Sequence, residues 1–365
     1  MRKGLFVCKT LYFCAFKRFC NRLHTKSKTH NMNKTKIATN AFFVLGFIIL
    51  GFMIHKIGLD TIWTNIKLTK WWFLAIIGIW GVVYLINTVS FHTIIRDGSP
   101  EAKKVSFFQV FRLTISGYAI NQMTPFGLLG GEPYRVMKLK PKIGIQKATS
   151  SVLLYMMMHI VSHFIFWMIS IPLLLLIVPN ISSTIRIILV IVAIASLLLL
   201  YWSFTVYSKG FIVKALTLAS KIPFLGKKVK IYYRQHSDKI MQMDHLIADL
   251  YKNRKKDFIK SLTIELLSRY AQCIEIIFMM YAIGFPVTFS ESVLIESVQS
   301  LVGNLFFFMP MQLGAREGGF VIVFGMLSLA AAHGVYVSLC MRIRELVWSI
   351  IGLGIIKIEP QSNQA

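Results

Sequence analysis

Long apolar runs broken by short polar clusters recur along the whole chain. Apolar segments cover residues 38–55, 71–92, 105–122, 148–177, 186–206, 259–284, 287–309 and 319–356, the last interrupted near Gly334. Residues 148–185 contain no Asp, Glu, Lys or Arg, and a helix needs only about 20 apolar residues to cross the hydrocarbon core. Backbone amides in lipid must be satisfied within their own segment, so runs of this length predict helices. The pattern therefore predicts an all-α, polytopic helical membrane protein.

Basic residues sort the connections into sides. Residues 1–36 hold ten Lys or Arg and no acid, 135–147 hold five and 207–260 hold thirteen, whereas 178–185 and 285–290 hold none. The positive-inside rule places the basic stretches in the cytoplasm, with both chain ends. Within the loop 207–258, Ile240, Met243, Ile247, Leu250 and Tyr251 recur at helical spacing among Lys239, Lys252, Arg254, Lys255 and Lys256. This predicts an amphipathic helix lying on an anionic leaflet, with a partner-binding helix as the alternative.

The sidedness has a consequence for residues 105–134. Arg96, Lys103 and Lys104 precede them and Arg135 to Lys147 follow, so both ends lie on one side and the segment predicts a re-entrant hairpin. Its turn reads Asn121-Gln-Met-Thr-Pro125-Phe-Gly127-Leu-Leu-Gly130-Gly131-Glu132-Pro133-Tyr-Arg135. Pro and Gly stop a helix there, which is tolerated at membrane depth only inside protein or beside a wet cavity; an ordinary surface turn is the alternative. Phe289 to Gly318 repeats the design: Asn304 precedes Pro310, Gly314 and Glu317, and Pro310 stands seven residues before Glu317 as Pro125 does before Glu132. Three spans lie between the copies, which would invert the second, as in alternating-access transporters. The expected architecture is about six full spans plus two re-entrant or broken-helix hairpins in an inverted repeat.

Composition agrees with this and redirects the charge. The chain of 365 residues is 55% hydrophobic, 15% charged and has a mean hydropathy of +0.62. Its 41 Lys+Arg against 15 Asp+Glu, net +26, would point to nucleic acid in a soluble protein; here the excess records topology, and no nucleic-acid partner is expected. Residues 1–36 form a basic leader, of which 1–31 are expected to lie upstream of a start at Met32. Residues 37–357 form the membrane domain and 358–365 a short tail.

Charges inside apolar segments carry the chemistry. Glu265, Arg269 and Glu275 lie in one span, Arg316 and Glu317 in the second turn, and Arg342, Arg344 and Glu345 in the last span. Facing lipid, each would cost about 2.5 to 3.5 kcal/mol, so they are expected to face a bundle interior and pair with one another. The spacing of Glu265 and Arg269 alone can satisfy both as a register-locking pair. His159 and His163 share a helical face, read as core or headgroup hydrogen bonding rather than a metal site. The five cysteines form no CxxC or Cys/His grouping, and no phosphate-cradling G-x-x-x-x-G-K-[ST] loop is present. No metal or cofactor is expected.

At the two turns, and at the cluster Arg342 to Glu345, the sequence resembles the transmembrane flippase-like domain of the lysylphosphatidylglycerol synthase/flippase family. The likeness spans roughly residues 37–357. It implies ATP-independent movement of a lipid across the cytoplasmic membrane, without the soluble synthase domain of the bifunctional members, and with a separate lipid-modifying enzyme as a partner. The expected headgroup site comprises Asn121, Pro125, Gly127, Gly130, Gly131, Glu132 and Arg135 from the first turn, Asn304, Pro310, Gly314, Arg316 and Glu317 from the second, and Arg269 and Arg342. In it, turn amides and arginines would contact a phosphate, while Glu132 and Glu317 would balance a cationic group or the arginines. A non-enzymatic role is expected, with an integral membrane transferase acting on a lipid-linked substrate, or a small-solute secondary transporter, as alternatives.

Overall fold

The computed structural model describes His55 and residues 58–122, 130–178, 181–209, 211–220, 226–306 and 315–358. All belong to one compact unit, Leu45–Ala365. Apart from His55, the basic leader and the expected span 38–55 lie outside the described residues, as do the turn segments 123–129 and 307–314.

Among the described residues the secondary structure is helical throughout, as the apolar runs require. The helices are α1 (Leu59–Thr69), α2 (Trp72–Ile95), α3 (Pro100–Lys103), α4 (Phe107–Gln122), α5 (Gly131–Ile143), α6 (Ile145–Ile177), α7 (Ser183–Lys209), α8 (Phe211–Ser220), α9 (Gly226–Lys252), α10 (Lys255–Ala282), α11 (Phe289–Leu305), α12 (Ala315–Met326) and α13 (Ala331–Ile358). Local chemistry sets several boundaries. Thr288 and Glu291 form a capping box at the start of α11. The carboxylate of Asp244 accepts from the amides of Ile212 and Val213 at 2.7 and 2.9 Å, holding α9 against the start of α8. Gly144, at φ 77°, turns the chain from α5 into α6.

Among the described residues three helices can cross a membrane by length and composition: Trp72–Ile95, Ile145–Ile177 and Ser183–Thr205. Helices α10 and α13 are each 28 residues long but carry buried charges that lower their hydropathy. Helix α7 is the most peripheral of the apolar helices, with Ile187, Ile191 and Leu198 all more than half exposed, as a lipid-facing helix would be. In chain order a long helix, two shorter helices and a long helix occur twice, as α2, α4, α5, α6 (with the four-residue α3 after α2) and as α10, α11, α12, α13.

Two details differ from the sequence reading. The last apolar segment breaks at residues 327–330, where Ser328 has φ 57°, and not at Gly334. Gly334 lies inside α13 and packs on Phe320, where an added methyl would sit 3.1 Å from its Cβ. The apolar stripe of α9 is also not laid open to a leaflet: Ile240, Ile247 and Leu250 are buried against protein.

The helices that frame the interior are α2, α4, α6, α10, α11, α12 and α13, with α2 packed along α10 and α4 along α13. Aromatic rings seal the junction of α2, α4 and α13, where Tyr84 meets Tyr118 and Trp348 with centroids 5.2 and 4.7 Å away. Below the second turn, Phe320, Phe324, Ile276, Met280 and Cys340 form an apolar core. The first hairpin closes by backbone contact. A methyl group on Gly131 would collide with the carbonyl oxygen of Gly117 and sit 3.0 Å from its Cα, and one on Gly117 would sit 2.7 Å from Arg135 Cζ. Glycine at 131 lets α4 and α5 approach this closely, and glycine at 117 leaves room for the Arg135 side chain.

Outside the bundle interior, Asp97 and Ser99 tie the α2–α3 connection to α6 by accepting from Lys147 Nζ at 2.5 and 2.6 Å. Burial alone would raise the Asp97 carboxyl, but the Lys147 ammonium and the Ser99 amide and hydroxyl outweigh it and hold it below its ordinary value of 3.8.

Two predictions follow the packing. Gly131→Ala is expected to lower stability by about 1–3 kcal/mol through overpacking, read as a lower melting midpoint, whereas Gly354→Ala, inside α13 with open space around it, does not lower the midpoint, since alanine is the better helix former. Because the folded-state value of Asp97 is depressed, its contribution is present above pH 3.8 and is lost as pH falls through the folded value. The gap in stability between the natural protein and Asp97→Asn should therefore be open at pH 7 and close under acid titration.

Candidate functional site

The polar side chains of the interior form groups of contacts, one from the first hairpin to α10 and others that tie α2, α4, α10 and α12 to the last helix. The first begins at the N-terminus of α5. Asn121, at the end of α4, accepts the amide of Gly131 at 2.7 Å and donates to Glu132 Oε1 at 3.2 Å. The same Glu132 oxygen accepts from Arg135 Nη1 at 3.1 Å, while Glu132 Oε2 is buried with no partner among the described residues. Arg135 folds back across α4, donating to the carbonyls of Leu113 and Thr114, and lies 5.3 Å from the ring of Tyr155. It thus latches the hairpin shut.

Tyr155 leads along α6 to His159. Arg269 Nη2 lies 2.7 Å from His159 Nε2, and His159 Nδ1 lies 3.0 Å from Glu265 Oε2. A guanidinium can only donate, so Nε2 accepts and the proton of the ring sits on Nδ1, pointing at the carboxylate. Arg269 also donates to Ser162 Oγ at 3.3 Å. Glu265 and Arg269 therefore communicate through His159 on the facing helix instead of bonding directly along their own, as their spacing had predicted. The other carboxylate oxygen, Glu265 Oε1, is buried and has no hydrogen-bond partner among the described residues.

The remaining charges interlock α10, α12 and α13. Arg344 grips Glu275 with two nitrogens at 2.8 and 3.2 Å, stands 3.7 Å over the ring of Trp80, and donates to Tyr118 Oη at 3.0 Å. Trp80 Nε1 donates to the same carboxylate at 2.7 Å. Arg316, in the first turn of α12, donates to Glu345 at 2.7 Å. Glu317, beside it, accepts from Arg342 at 2.6 and 3.0 Å and from Ser338 at 2.9 Å. Bidentate and charge-assisted bonds of this kind offset the desolvation of buried ions.

A family model, the Lysylphosphatidylglycerol synthase TM region, matches residues 40–354. This chain belongs to that family. Membership and the apolar helices together make it a membrane protein of a family related to lipid handling. No curated protein and no solved structure matches the chain.

Of the site residues read from sequence, the structure gathers Asn121, Gly130, Gly131, Glu132 and Arg135 at the start of α5, and Arg316, Glu317 and Arg342 at the start of α12. Arg269 stands on α10 between His159 and Ser162. Asn304 donates back to the carbonyl of Ser300 in its own helix at 2.7 Å. Pro125, Gly127, Pro310 and Gly314 lie outside the described residues. The sequence reading gave His159 core or headgroup hydrogen bonding without its two partners, and it passed over Glu296, an acid inside an apolar segment that becomes a buried residue of α11. The signal was available for both: an ionisable group at a buried helical position.

The Glu275–Arg344 fork yields a prediction. Glu275→Gln strands the Arg344 charge and is expected to cost about 3–5 kcal/mol. Glu275→Gln with Arg344→Met should recover much of the loss, seen as a partly restored melting midpoint of the detergent-solubilised protein.

Proposed function

We propose that this chain moves a lipid, by flipping or scrambling, across the cell membrane without hydrolysing ATP. The observation that carries this reading is the row of buried guanidiniums, Arg135, Arg269, Arg316, Arg342 and Arg344, with Arg135 and Arg316 placed where the two hairpins restart as helices. Packing alone does not call for so many buried charges, whereas a path for an anionic headgroup with its acyl tails left in lipid does. In this reading the hairpins form an inverted pair within about six spans, helix starts and turn amides meet the phosphate, and exchange of ion-pair partners lets the headgroup pass.

Transfer chemistry fits less well. Glu132, Glu275, Glu317 and Glu345 are each bound to an arginine, which holds them as counter-ions and not as free acids or bases. A separate lipid-modifying enzyme would supply the substrate, and the driving force would be the lipid gradient, the membrane potential or a proton.

The test is the full chain reconstituted in liposomes carrying phospholipids of several headgroup classes labelled in one leaflet. At least one class is expected to equilibrate faster than in empty liposomes. Arg269→Gln should slow that transfer about tenfold or more, as expected for loss of a hydrogen bond to a charged group. No transfer of any class in either direction would refute the proposal.

A further inference from the structure

The interior ion pairs do not balance. Glu132 is matched by Arg135, Glu275 by Arg344, Glu317 by Arg342 and Glu345 by Arg316. Two buried acids, Glu265 and Glu296, then share one guanidinium, Arg269. The turn segments 123–129 and 307–314 contain no titratable side chain and cannot alter this count. His159 supplies no positive charge either, since its Nε2 already accepts from Arg269 while Nδ1 faces Glu265. With every carboxyl ionised, these charged side chains of the described residues would sum to one net negative charge, which burial strongly disfavours.

Glu296 is the acid left over. It is 9% exposed and receives no hydrogen bond from any described residue, whereas Glu265 has His159. The charges that act on it are those of Arg269 and Glu275 of α10, Arg316 of α12 and Arg344 of α13; Cys273 of α10 feels its charge, and His163 of α6 feels that of Arg269. A metal ion or an organic cation would have to enter the field of three arginines, and no cluster of three metal-binding side chains exists among the described residues. A proton neutralises the carboxyl through a covalent O–H bond and leaves no cation to repel.

We propose that Glu296 is a proton-binding site, carrying one exchangeable proton in the resting interior. The exchange is a simple acid dissociation in which the carboxyl O–H breaks, the electron pair stays on the carboxylate and the proton passes to water. Its use rests on the lipid reading above. With Glu296 neutral, the field of Arg269, which bonds a histidine and a serine but no carboxylate, is open to an anionic headgroup. With Glu296 ionised, its carboxylate competes for it and the headgroup is released. Headgroup binding and proton uptake are thereby linked.

The test is infrared titration of the full chain in nanodiscs of phosphatidylethanolamine and phosphatidylglycerol. A deuterium-sensitive carbonyl band of a protonated carboxylic acid is expected at pH 7, lost in Glu296→Gln and retained in Glu296→Asp and in the surface control Glu291→Gln. Glu296→Gln should also keep the natural melting midpoint, because an amide mimics the protonated acid. Absence of the band at pH 7, its persistence in Glu296→Gln, or its loss in Glu265→Gln with persistence in Glu296→Gln overturns the assignment. The band is read without transport, so a band without lipid transfer counts against the lipid reading alone, and transfer without a band counts against the proton site alone.

Discussion

A guanidinium cannot shed its proton to escape burial, and this constraint organises the interior. Lysine or a carboxyl can turn neutral when solvent is removed, whereas arginine stays charged and must be met by acceptors. Each of the five buried arginines is met differently. Arg135 takes carbonyls of α4, Arg269 a histidine and a serine, Arg344 a carboxylate, a phenol and an indole face. Arg316 and Arg342 each take a glutamate across the α12–α13 junction. These demands determine which helices must be neighbours: α4 with α5, α6 with α10, and α10 and α12 with α13.

The apolar packing makes such pairings possible without water. Gly117 and Gly131 let two backbones touch, which brings Arg135 across α4. Gly352 does the same between α13 and α4, where an added methyl would lie 3.1 Å from the carbonyl oxygen of Ile115. Trp80, Tyr84, Tyr118 and Trp348 then close the space around Arg344. A buried pair is at once a structural bond and a stored potential for rearrangement, because a new anion of comparable strength can replace either carboxylate. That dual character is what joins fold to proposed function here.

Much of this was legible in the residues. Apolar runs gave the helical membrane class, and the Pro/Gly-rich turn segments 123–129 and 307–314 lie outside the described residues. Charges in apolar segments picked out most of the interior network, because a charged side chain in lipid is too costly to be incidental. The partners were less legible. Glu265 and Arg269 sit at a spacing that would pair them on one helix, yet His159 separates them, since a facing imidazole can satisfy both at once. The α9 stripe looked membrane-bound because periodicity reports that a face is covered without reporting by what.

The sequence by itself determined that this protein is helical, lives in a membrane and carries ionised groups that must be buried. These follow from one-dimensional patterns, since hydropathy acts within a few residues. Only the tertiary structure decided which acid answers which arginine, and therefore that Glu265 and Glu296 are left without an arginine ion pair among the described residues. Such pairing spans helices far apart in the chain, and distances between side chains are set by packing, which no local pattern encodes.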